Sequence, residues 1–182
     1  MIIETSRLRL RPWRDADRDT FAALNADPEV ARDLGGPLSR AASDAKLDRY
    51  FAAFNDNGFC RWAIETRAGD FVGYAGVMPH GADHPLGRHD EIGWRLKRDA
   101  WGYGYATEAA RAALGDVFTR VGLAEVLSFT AADNFRSQAV MARLKLARDV
   151  SRDFALHDEQ LGLWRGLVWV ARANADWNIK PL

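Results

Sequence analysis

The sequence predicts an α+β domain with a mixed sheet, and the order of its hydrophobic patterns carries that prediction. After one short strand, apolar residues recur at helical spacing until "NDNG", and a period-two pattern then begins with "CRWAIET". One strand-helix-strand-helix unit follows near the end of the chain. Helices first, strands in the middle and a single alternating unit late in the chain are typical of the α+β class.

The first half of the chain predicts one strand and three helices. "RLRLRPW" alternates arginine with leucine, which predicts a half-buried strand that ends at Pro12. Asp15 or Asp17 can cap the helix that follows, and Asp27-Pro28 opens a short second helix. Either serine of "SRAAS", Ser39 or Ser43, can cap a third helix. The apolar positions of the first and third helices are Phe21, Ala22 and Leu24, and Leu47, Tyr50, Phe51 and Phe54.

The second half predicts most of the sheet. "CRWAIET" and "FVGYAGVM" are predicted strands joined by a hairpin turn at "RAGD", and "EIGWRLK" is the next strand after a loop, "PHGADHPLGRHD". Helical spacing returns from Ala106 to Val121. "EVLSFTAA" then predicts a strand and "DNFRSQAVMARL" a capped helix. Strands near 152–156 and 163–171 are expected to form a closing hairpin.

Composition excludes several classes of function. The chain has 182 residues, so we expect a single domain over residues 1–182. Lysine plus arginine and aspartate plus glutamate both number 25, so no global positive field draws in nucleic acid. No basic leader or bilayer-spanning apolar run is present, so neither a signal peptide nor a membrane partner is predicted. Cys60 is the one cysteine, which excludes an internal disulfide and fits a cytoplasmic location.

The stretch "WGYGYATEA" places two glycines between a predicted strand and a predicted helix. Unpaired N–H groups at a helix N-terminus attract anions, and glycine lets a ligand approach the backbone closely. The stretch therefore predicts a phosphate-binding turn. The alternative is a tight turn that needs glycine for its dihedral angles and binds nothing.

Two common phosphate motifs do not match this turn. A P-loop ends in Gly-Lys-Ser/Thr, and the turn contains no lysine. A dinucleotide fingerprint requires glycine or alanine where this chain has Thr107, and its acidic residue would have to be Asp133. The predicted hairpins upstream also differ from a dinucleotide-binding fold.

The segment "EIGWRLKRDAWGYGYATEAARAAL" resembles the acyl-CoA-binding segment of the GNAT superfamily of N-acetyltransferases. The pattern Trp-Gly-x-Gly-Tyr-Ala-Thr-Glu-Ala is similar to the motif of one branch of this superfamily, which includes the enzymes that acetylate the N-termini of bacterial ribosomal proteins. "ETSRLRLRPWRDAD", "LNADPEV" and "DNFRSQAVMARL" resemble three further segments of that branch, in the same order. The resemblance implies a mostly antiparallel sheet with helices on both faces, and a homodimer is common in the branch.

The resemblance also implies acetyl-CoA as co-substrate and assigns residues to it. The end of the "EIGWRLK" strand would hold the pantetheine arm and polarise the thioester carbonyl, the glycine turn would hold the pyrophosphate, and an asparagine would contact the cofactor arm. These cofactor-binding residues are Trp94, Arg95, Leu96, Gly102, Tyr103, Gly104, Tyr105, Ala106, Thr107 and Asn134. Asn134 can equally be a helix N-cap.

The family pattern is not followed at every position. Asp99 stands where glutamine or arginine is common, and a negative side chain is unfavourable near a pyrophosphate unless it points away. Met141 stands where many members carry a tyrosine that protonates the departing thiolate. A thioether has no proton to give, so that role cannot be transferred to Met141.

Two residues are candidate catalytic groups. Glu91, on the strand that leads to the glycine turn, is the leading candidate for the general base, and its alternative is a solvated strand start. Ser137 matches the family's Asn-x-x-Ser serine and could hydrogen-bond the thiolate or relay a proton, while its alternative is an ordinary first-turn helix residue. Glu108 is explained by the helix dipole.

Other clusters favour ordinary roles. The histidines of the 79–90 loop could be imagined as a zinc site with Cys60, but their spacing predicts no metal ligand set, and a substrate-groove loop is favoured. Trp13, Trp62 and Trp94 could line an acceptor groove, with core packing as the default.

The function predicted from sequence is direct acetyl transfer from acetyl-CoA to a primary amine. The acceptor is either a peptide N-terminus or a small-molecule amine such as an antibiotic. The competing hypotheses are a non-catalytic acyl-CoA-binding module and, ranked lower, a dinucleotide-binding module.

Overall fold

In the computed structural model, which describes residues 1–32, 35–158, 162–174 and 177, nine strands form one sheet. The strands are Ile3–Glu4 (β1), Leu8–Arg11 (β2), Arg61–Thr66 (β3), Phe71–His80 (β4), His89–Leu96 (β5), Glu125–Ala131 (β6), Ala147–Arg148 (β7), Phe154–Asp158 (β8) and Gly162–Arg172 (β9). The order is β1-β2-β3-β4-β5-β6-β9-β7, with β8 also paired to β9. Only the β5–β6 pair is parallel among these strands. The predicted mixed, mostly antiparallel sheet is confirmed, and the alternative of a doubly wound dinucleotide fold is wrong.

Helices cover both faces of the sheet. They are Arg18–Ala26 (α1), Pro28–Ala31 (α2), Arg40–Asn57 (α3), Tyr105–Asp116 (α4) and Phe135–Arg143 (α5). Side chains alternate between faces along a strand, so consecutive residues of β3 pack against the helices on opposite faces of the sheet. Trp62 packs in the core cluster that contains α4 and α5 residues, whereas Ala63 packs in the cluster formed with α1 and α3.

Most predicted helix starts are confirmed. The Asp27 carboxylate accepts from the backbone N–H groups of Glu29 and Val30, and the Ser39 hydroxyl accepts from the N–H of Ala42. The prediction that Asp15 or Asp17 caps α1 by its side chain is wrong, because α1 has no side-chain cap hydrogen bond. The buried Asp17 carboxylate pairs instead with the Arg11 guanidinium, at 2.7 and 2.8 Å.

The closing hairpin, β8 with β9, is confirmed, and β9 additionally pairs with β6 and β7. The two-residue strands β1 and β7 were not predicted, because two residues cannot display a period. The 79–90 loop is shorter than expected, since β4 continues to His80 and β5 begins at His89. None of the helices in the described residues is both long and apolar enough to span a membrane.

The parallel pair β5–β6 is short, and this opens the sheet at one point. β4 and β5 are in register over eight residue pairs, whereas β5 and β6 are paired at Glu91 and Leu127 alone. The Ser128 hydroxyl donates to the carbonyl of Ile92 at 3.0 Å, next to that pair. Beyond Ile92 the two strands diverge, so Trp94–Leu96 has no neighbouring strand on the β6 side.

Candidate functional site

A cavity of about 630 Å³ lies where β5 and β6 separate, between the start of α4 and the start of α5. All ten residues predicted to bind the cofactor line it, and so does Ser137. The remaining lining residues are Val30, Ala100, Trp101, Phe135, Arg136, Ala139, Val140 and Arg143. The structure therefore brings together segments that are about 40 residues apart in the chain.

The glycine turn has the backbone conformation that its sequence predicts. Gly102 and Gly104 have φ angles of +84° and +80°, in the left-handed region that favours glycine. The Arg7 guanidinium lies beside the turn and donates to the carbonyl of Tyr103 at 2.9 Å. These dihedral angles are enough to explain why both residues are glycine. Phosphate binding is therefore supported only by the groups that the turn exposes.

Those groups fit an anionic ligand. Helix α4 follows Gly104 and has no side-chain cap, so no side chain occupies the N–H groups of its first turn. The hydroxyl of Thr107 is buried without a hydrogen-bond partner among the described residues, and Thr107 lines the cavity. An oxygen of a pyrophosphate would satisfy both the hydroxyl and the helix N-terminus. The residues present therefore fit the diphosphate of acetyl-CoA.

Two arginines of α5 were missed at the sequence level. Arg136 and Arg143 line the cavity, and the Arg136 guanidinium lies 4.2 Å from the centroid of a Trp101 ring. Their positions, one residue and eight residues beyond the start of α5, give no sequence signal, because an exposed arginine on a helix usually faces solvent. Asp99 does not line the cavity, and its carboxylate pairs with Lys97 at 3.2 Å. The negative side chain of Asp99 therefore points away.

Asn134 caps α5 and also lines the cavity. Its side-chain oxygen accepts from the N–H of Ser137 at 3.1 Å, which caps α5. The amide nitrogen of the same side chain makes no hydrogen bond to the described residues, and Asn134 lines the cavity. The cap therefore leaves a donor for a ligand.

Replacing Asn134 by aspartate separates these two roles. Aspartate is as good an N-cap as asparagine, so we expect the melting temperature of the N134D variant to stay near that of the wild type. The variant loses the donor and places a carboxylate in the cavity, so its affinity for coenzyme A should fall about tenfold. Calorimetric titration with coenzyme A measures this effect. Wild-type affinity in N134D would show that Asn134 is only a cap.

Glu108 fixes the turn to the N-terminal segment, so the helix dipole is not its main role. One carboxylate oxygen accepts from the Thr5 hydroxyl at 2.6 Å and from the Arg7 N–H at 3.0 Å. The other accepts from the Arg7 guanidinium at 2.7 Å. Burial of the Glu108 carboxyl would raise its pKa, but these hydrogen bonds and the charge of Arg7 outweigh it and hold the pKa below the ordinary value.

Glu91, the candidate base, lies in a buried ion pair. The alternative of a solvated strand start does not hold, because Glu91 is only 9% exposed. One of its oxygens lies 2.5 Å from the Arg61 guanidinium and 2.8 Å from Nε2 of His80. Burial alone would raise the pKa of Glu91, but Arg61 and the His80 hydrogen bond lower it below its ordinary value. The carboxyl group therefore stays ionised at neutral pH.

The histidines of the 79–90 region form an aromatic stack beside Glu91. The rings of His80 and His89 are parallel at 4.8 Å, and the His84 ring lies 4.7 Å from that of His89. In the part of the chain that the structure describes, no three histidine, cysteine or acidic side chains are placed to hold a metal ion. Sequence reasoning did not connect His80 to Glu91, because that contact depends on the register of β4 against β5.

The other sequence candidates lie in the core. Trp13 and Trp62 are 5% and 0% exposed, so their default assignment to core packing is confirmed, whereas Trp94 lines the cavity. Cys60 is buried, and burial raises the pKa of its thiol to about 12. A protonated, buried thiol is a poor nucleophile.

The fold and the cavity place the chain in a class of α+β proteins. In this class the sheet opens between two parallel strands, and the opening forms a cavity beside a glycine turn. The chain belongs to the acetyltransferase (GNAT) domain family, whose model matches residues 7–147. It is 34% identical over 147 residues to the FsC-acetyl coenzyme A-N(2)-transacetylase of Aspergillus fumigatus. That match covers 77% of this chain and 62% of the relative, so the chain spans less than two thirds of that protein.

Solved structures show the same fold. An acetyltransferase from Agrobacterium tumefaciens is 26% identical, with a TM-score of 0.80 and 94% of each chain covered. RimL, a ribosomal L7/L12 alpha-N-protein acetyltransferase solved in complex with coenzyme A, has a TM-score of 0.76 at 15% identity. That comparison covers 97% of this chain and 100% of RimL, and at this identity it shows the fold alone.

Proposed function

We propose that this chain, as a single N-acetyltransferase domain over residues 1–182, transfers an acetyl group directly from acetyl-CoA to a primary amine. The single observation that carries the proposal is the cavity between the diverging strands β5 and β6. One wall is the unpaired strand edge at Trp94–Leu96, and another is the uncapped start of α4 with the unpartnered Thr107 hydroxyl. A thioester arm needs an unpaired strand edge for hydrogen bonds, and a pyrophosphate needs an uncapped helix N-terminus, so a ligand with both groups needs the two features side by side.

Each wall has a distinct task in this proposal. Backbone groups of Trp94, Arg95 and Leu96 hold the pantetheine arm, and one N–H there polarises the thioester carbonyl. The turn from Gly102 to Thr107 binds the pyrophosphate through backbone N–H groups. Asn134 contacts the arm from the other side, and Arg136 and Arg143 add positive charge near the phosphates.

The amine must be neutral to react, because an ammonium group has no lone pair. Its nitrogen bonds to the thioester carbonyl carbon, the carbon–sulfur bond breaks, and the surplus amine proton passes to a base. Glu91 takes that proton itself, or it accepts from Nε2–H of His80 at 2.8 Å and so leaves Nδ1 of the imidazole to take the proton. The ion pair with Arg61 fixes the orientation of the Glu91 carboxylate in either case.

In this proposal Ser137 supplies a hydroxyl to the leaving thiolate. Ser137 lines the cavity and can hydrogen-bond the sulfur. Met141 is 1% exposed and belongs to the core cluster, so it offers neither a proton nor a contact. The high pKa of the buried Cys60 supports transfer without an acetylated enzyme intermediate.

The acceptor class is the open part of the proposal. The resemblance to the ribosomal-protein branch and the shared fold with RimL support a peptide N-terminal amine. The higher identity to the fungal N(2)-transacetylase supports a small-molecule amine. We place the activity in the cytoplasm, because a reduced cysteine fits that compartment, and we propose a homodimer on the basis of the branch alone.

A thiol-release assay tests the proposal. We expect saturable release of coenzyme A when acetyl-CoA is mixed with N-terminal peptides, small amines or aminoglycosides. Acetyl-CoA at a 100-fold excess over its dissociation constant should stabilise the fold by about 2.7 kcal/mol, whereas NAD should not. Stabilisation by acetyl-CoA with no release from any acceptor would favour the non-catalytic binding module.

A further inference from the structure

A second polar cluster lies on the α1/α3 face of the sheet, opposite the face that α4 covers. Its members are Lys46, Arg61, Tyr74 and Arg95, which we call the cationic cluster. Tyr74 is 1% exposed, and its hydroxyl accepts from the Lys46 ammonium at 3.1 Å. The Arg95 guanidinium lies 5.9 Å from the centroid of the Tyr74 ring. Three cations therefore surround one buried phenol.

The charges of the cationic cluster are not balanced by the described residues. Arg61 pairs with Glu91, but the side-chain partner of Arg95 is the neutral amide oxygen of Asn25. Lys46 bonds to the Tyr74 phenol. Within the described part of the chain, three cations thus face one carboxylate. The Nε–H groups of Arg61 and Arg95 are moreover buried without partners among these residues.

Two members of the cationic cluster respond to this positive potential, whereas burial and the neighbouring Tyr74 raise the pKa of Tyr50 above its ordinary value. Burial would raise the pKa of Tyr74, but Arg95, Lys46 and Arg61 lower it to about 7. Burial lowers the pKa of Lys46, and the charges of Arg95 and Arg61 lower it further. Both shifts have the sign expected where positive charge is in excess and an anion would be stabilised.

The cationic cluster adjoins the place where the amine must arrive. A Cβ atom at Gly93 would lie 2.6 Å from the Arg61 guanidinium, so that guanidinium sits directly over the Gly93 backbone. Gly93 precedes Trp94, which lines the cavity, and Arg95 lines it as well. Gly93 and Lys46 are both partly exposed, so this surface is open to solvent.

We propose that the acceptor is a primary amine that carries a carboxylate close to the amine, and that the cationic cluster binds this carboxylate. The proposal rests on the acetyl transfer proposed above and narrows its substrate class. The carboxylate lies beside the Arg61 guanidinium and the Lys46 ammonium, next to Gly93, which directs the amine towards the thioester at Trp94. Polycations such as polyamines and aminoglycosides are repelled by the same charges.

Matched acceptors test the substrate class. Free alanine and alaninamide share the amine and differ in the carboxylate, and spermidine represents the polycations. We expect kcat/KM for coenzyme A release to be at least about tenfold higher with alanine than with alaninamide or spermidine, because charge-assisted hydrogen bonds are among the stronger ones. Two peptide amides, one beginning with aspartate and the other with asparagine, test whether a protein N-terminus can supply the carboxylate. Their rates of coenzyme A release are compared. A higher rate with the aspartyl peptide also supports the proposal.

A Lys46→Gln variant ties the effect to the cationic cluster. Its KM for the carboxylate-bearing acceptor should rise about tenfold at an unchanged KM for acetyl-CoA, and Lys46→Arg should restore most of the affinity. The matched control is Arg49→Gln, which removes the same charge from an exposed position one turn further along α3. Equal or better turnover of alaninamide and spermidine, together with equal rates for the aspartyl and asparaginyl peptides, would overturn this inference and leave acetyl transfer standing. Release from no acceptor at all would instead overturn the proposed function together with the inference.

Discussion

Replacing Gly104 by aspartate is expected to abolish the binding of acetyl-CoA, with a loss of affinity of at least about 100-fold. Gly104 has a φ angle of +80° and directly precedes α4. An aspartate here adds bulk to the turn, and its Cβ atom would lie 3.5 Å from the Arg7 guanidinium, beside the uncapped start of α4. It also places a negative charge near the position of the proposed pyrophosphate. Bulk and repulsion act in the same direction, and calorimetric titration measures their sum.

The Gly69→Asp variant is the matched control for backbone strain. Gly69 lies in the β3–β4 turn with a φ angle of +96°, is exposed, and has open space where a Cβ atom would be. Both substitutions force an aspartate into the left-handed region, at a cost of about 1–2 kcal/mol each. G69D should bind acetyl-CoA as the wild type does. Equal affinities in G104D and G69D would remove the phosphate role from the turn.

Replacing Glu91 by glutamine is expected to lower turnover about 100- to 1,000-fold while leaving the affinity for coenzyme A nearly unchanged. The carboxylate lies at the base of the diverging strands, three residues before Trp94 on β5, and bonds to His80. Glutamine can still accept from Arg61, but it cannot take a proton or stabilise a charged imidazole. Steady-state kinetics and coenzyme A titration together separate the loss of chemistry from a loss of binding.

Glu65→Gln is the control for the loss of a carboxylate that pairs with a buried arginine. Glu65 pairs with Arg11 on the same sheet at 2.6 Å, but Glu65 is partly exposed and Arg11 also pairs with Asp17. E91Q leaves the buried Arg61 without its carboxylate and should lose stability by up to about 3–5 kcal/mol, whereas E65Q should lose less because Arg11 keeps Asp17. Only E91Q should lose turnover. A normal rate in E91Q would remove Glu91 from the proton path.

The pH dependence of kcat/KM distinguishes the two proton paths. The pKa of Glu91 in the folded chain lies below its ordinary value, because Arg61 and His80 outweigh the effect of burial. Glu91 is therefore already a carboxylate at neutral pH. If it acts alone, activity should not fall on its account until the pH drops below the ordinary range of a glutamate carboxyl. An acidic limb at a higher pH would assign the proton to an imidazole, with Glu91 as its positioning residue.

The same shift has a consequence for stability. A carboxyl whose pKa is lowered by folding contributes stability above its unfolded pKa, and this contribution is lost as the pH falls through the lower, folded value. The Glu91–Arg61 pair is therefore fully stabilising at neutral pH and weakens only in acid.

Local patterns were sufficient for most elements of the fold. The helix starts at Asp27 and Ser39 follow from the hydrogen bonds of one side chain to backbone groups two or three residues away. The glycine turn follows from the left-handed backbone that precedes α4. Such features depend on neighbours in the chain, so the residue order contains all the information they need. The two-residue strands β1 and β7 could not be predicted in this way, because they are defined only by their pairing with β2 and β9.

The sequence by itself determined the α+β class and, through its resemblance to the GNAT family, eleven of the residues that line the cavity: the ten predicted cofactor-binding residues and Ser137. Only the tertiary structure decided what Glu108 and Glu91 contact, and that Lys46 meets Tyr74. These contacts join residues that are 101, 30 and 28 positions apart. Their energies depend on burial and on the sum of nearby charges, which exist only once strands and helices have packed. The proposed cofactor-binding residues can therefore be predicted from sequence motifs. The residues proposed to bind the acceptor can be identified only from the charges that the fold brings together.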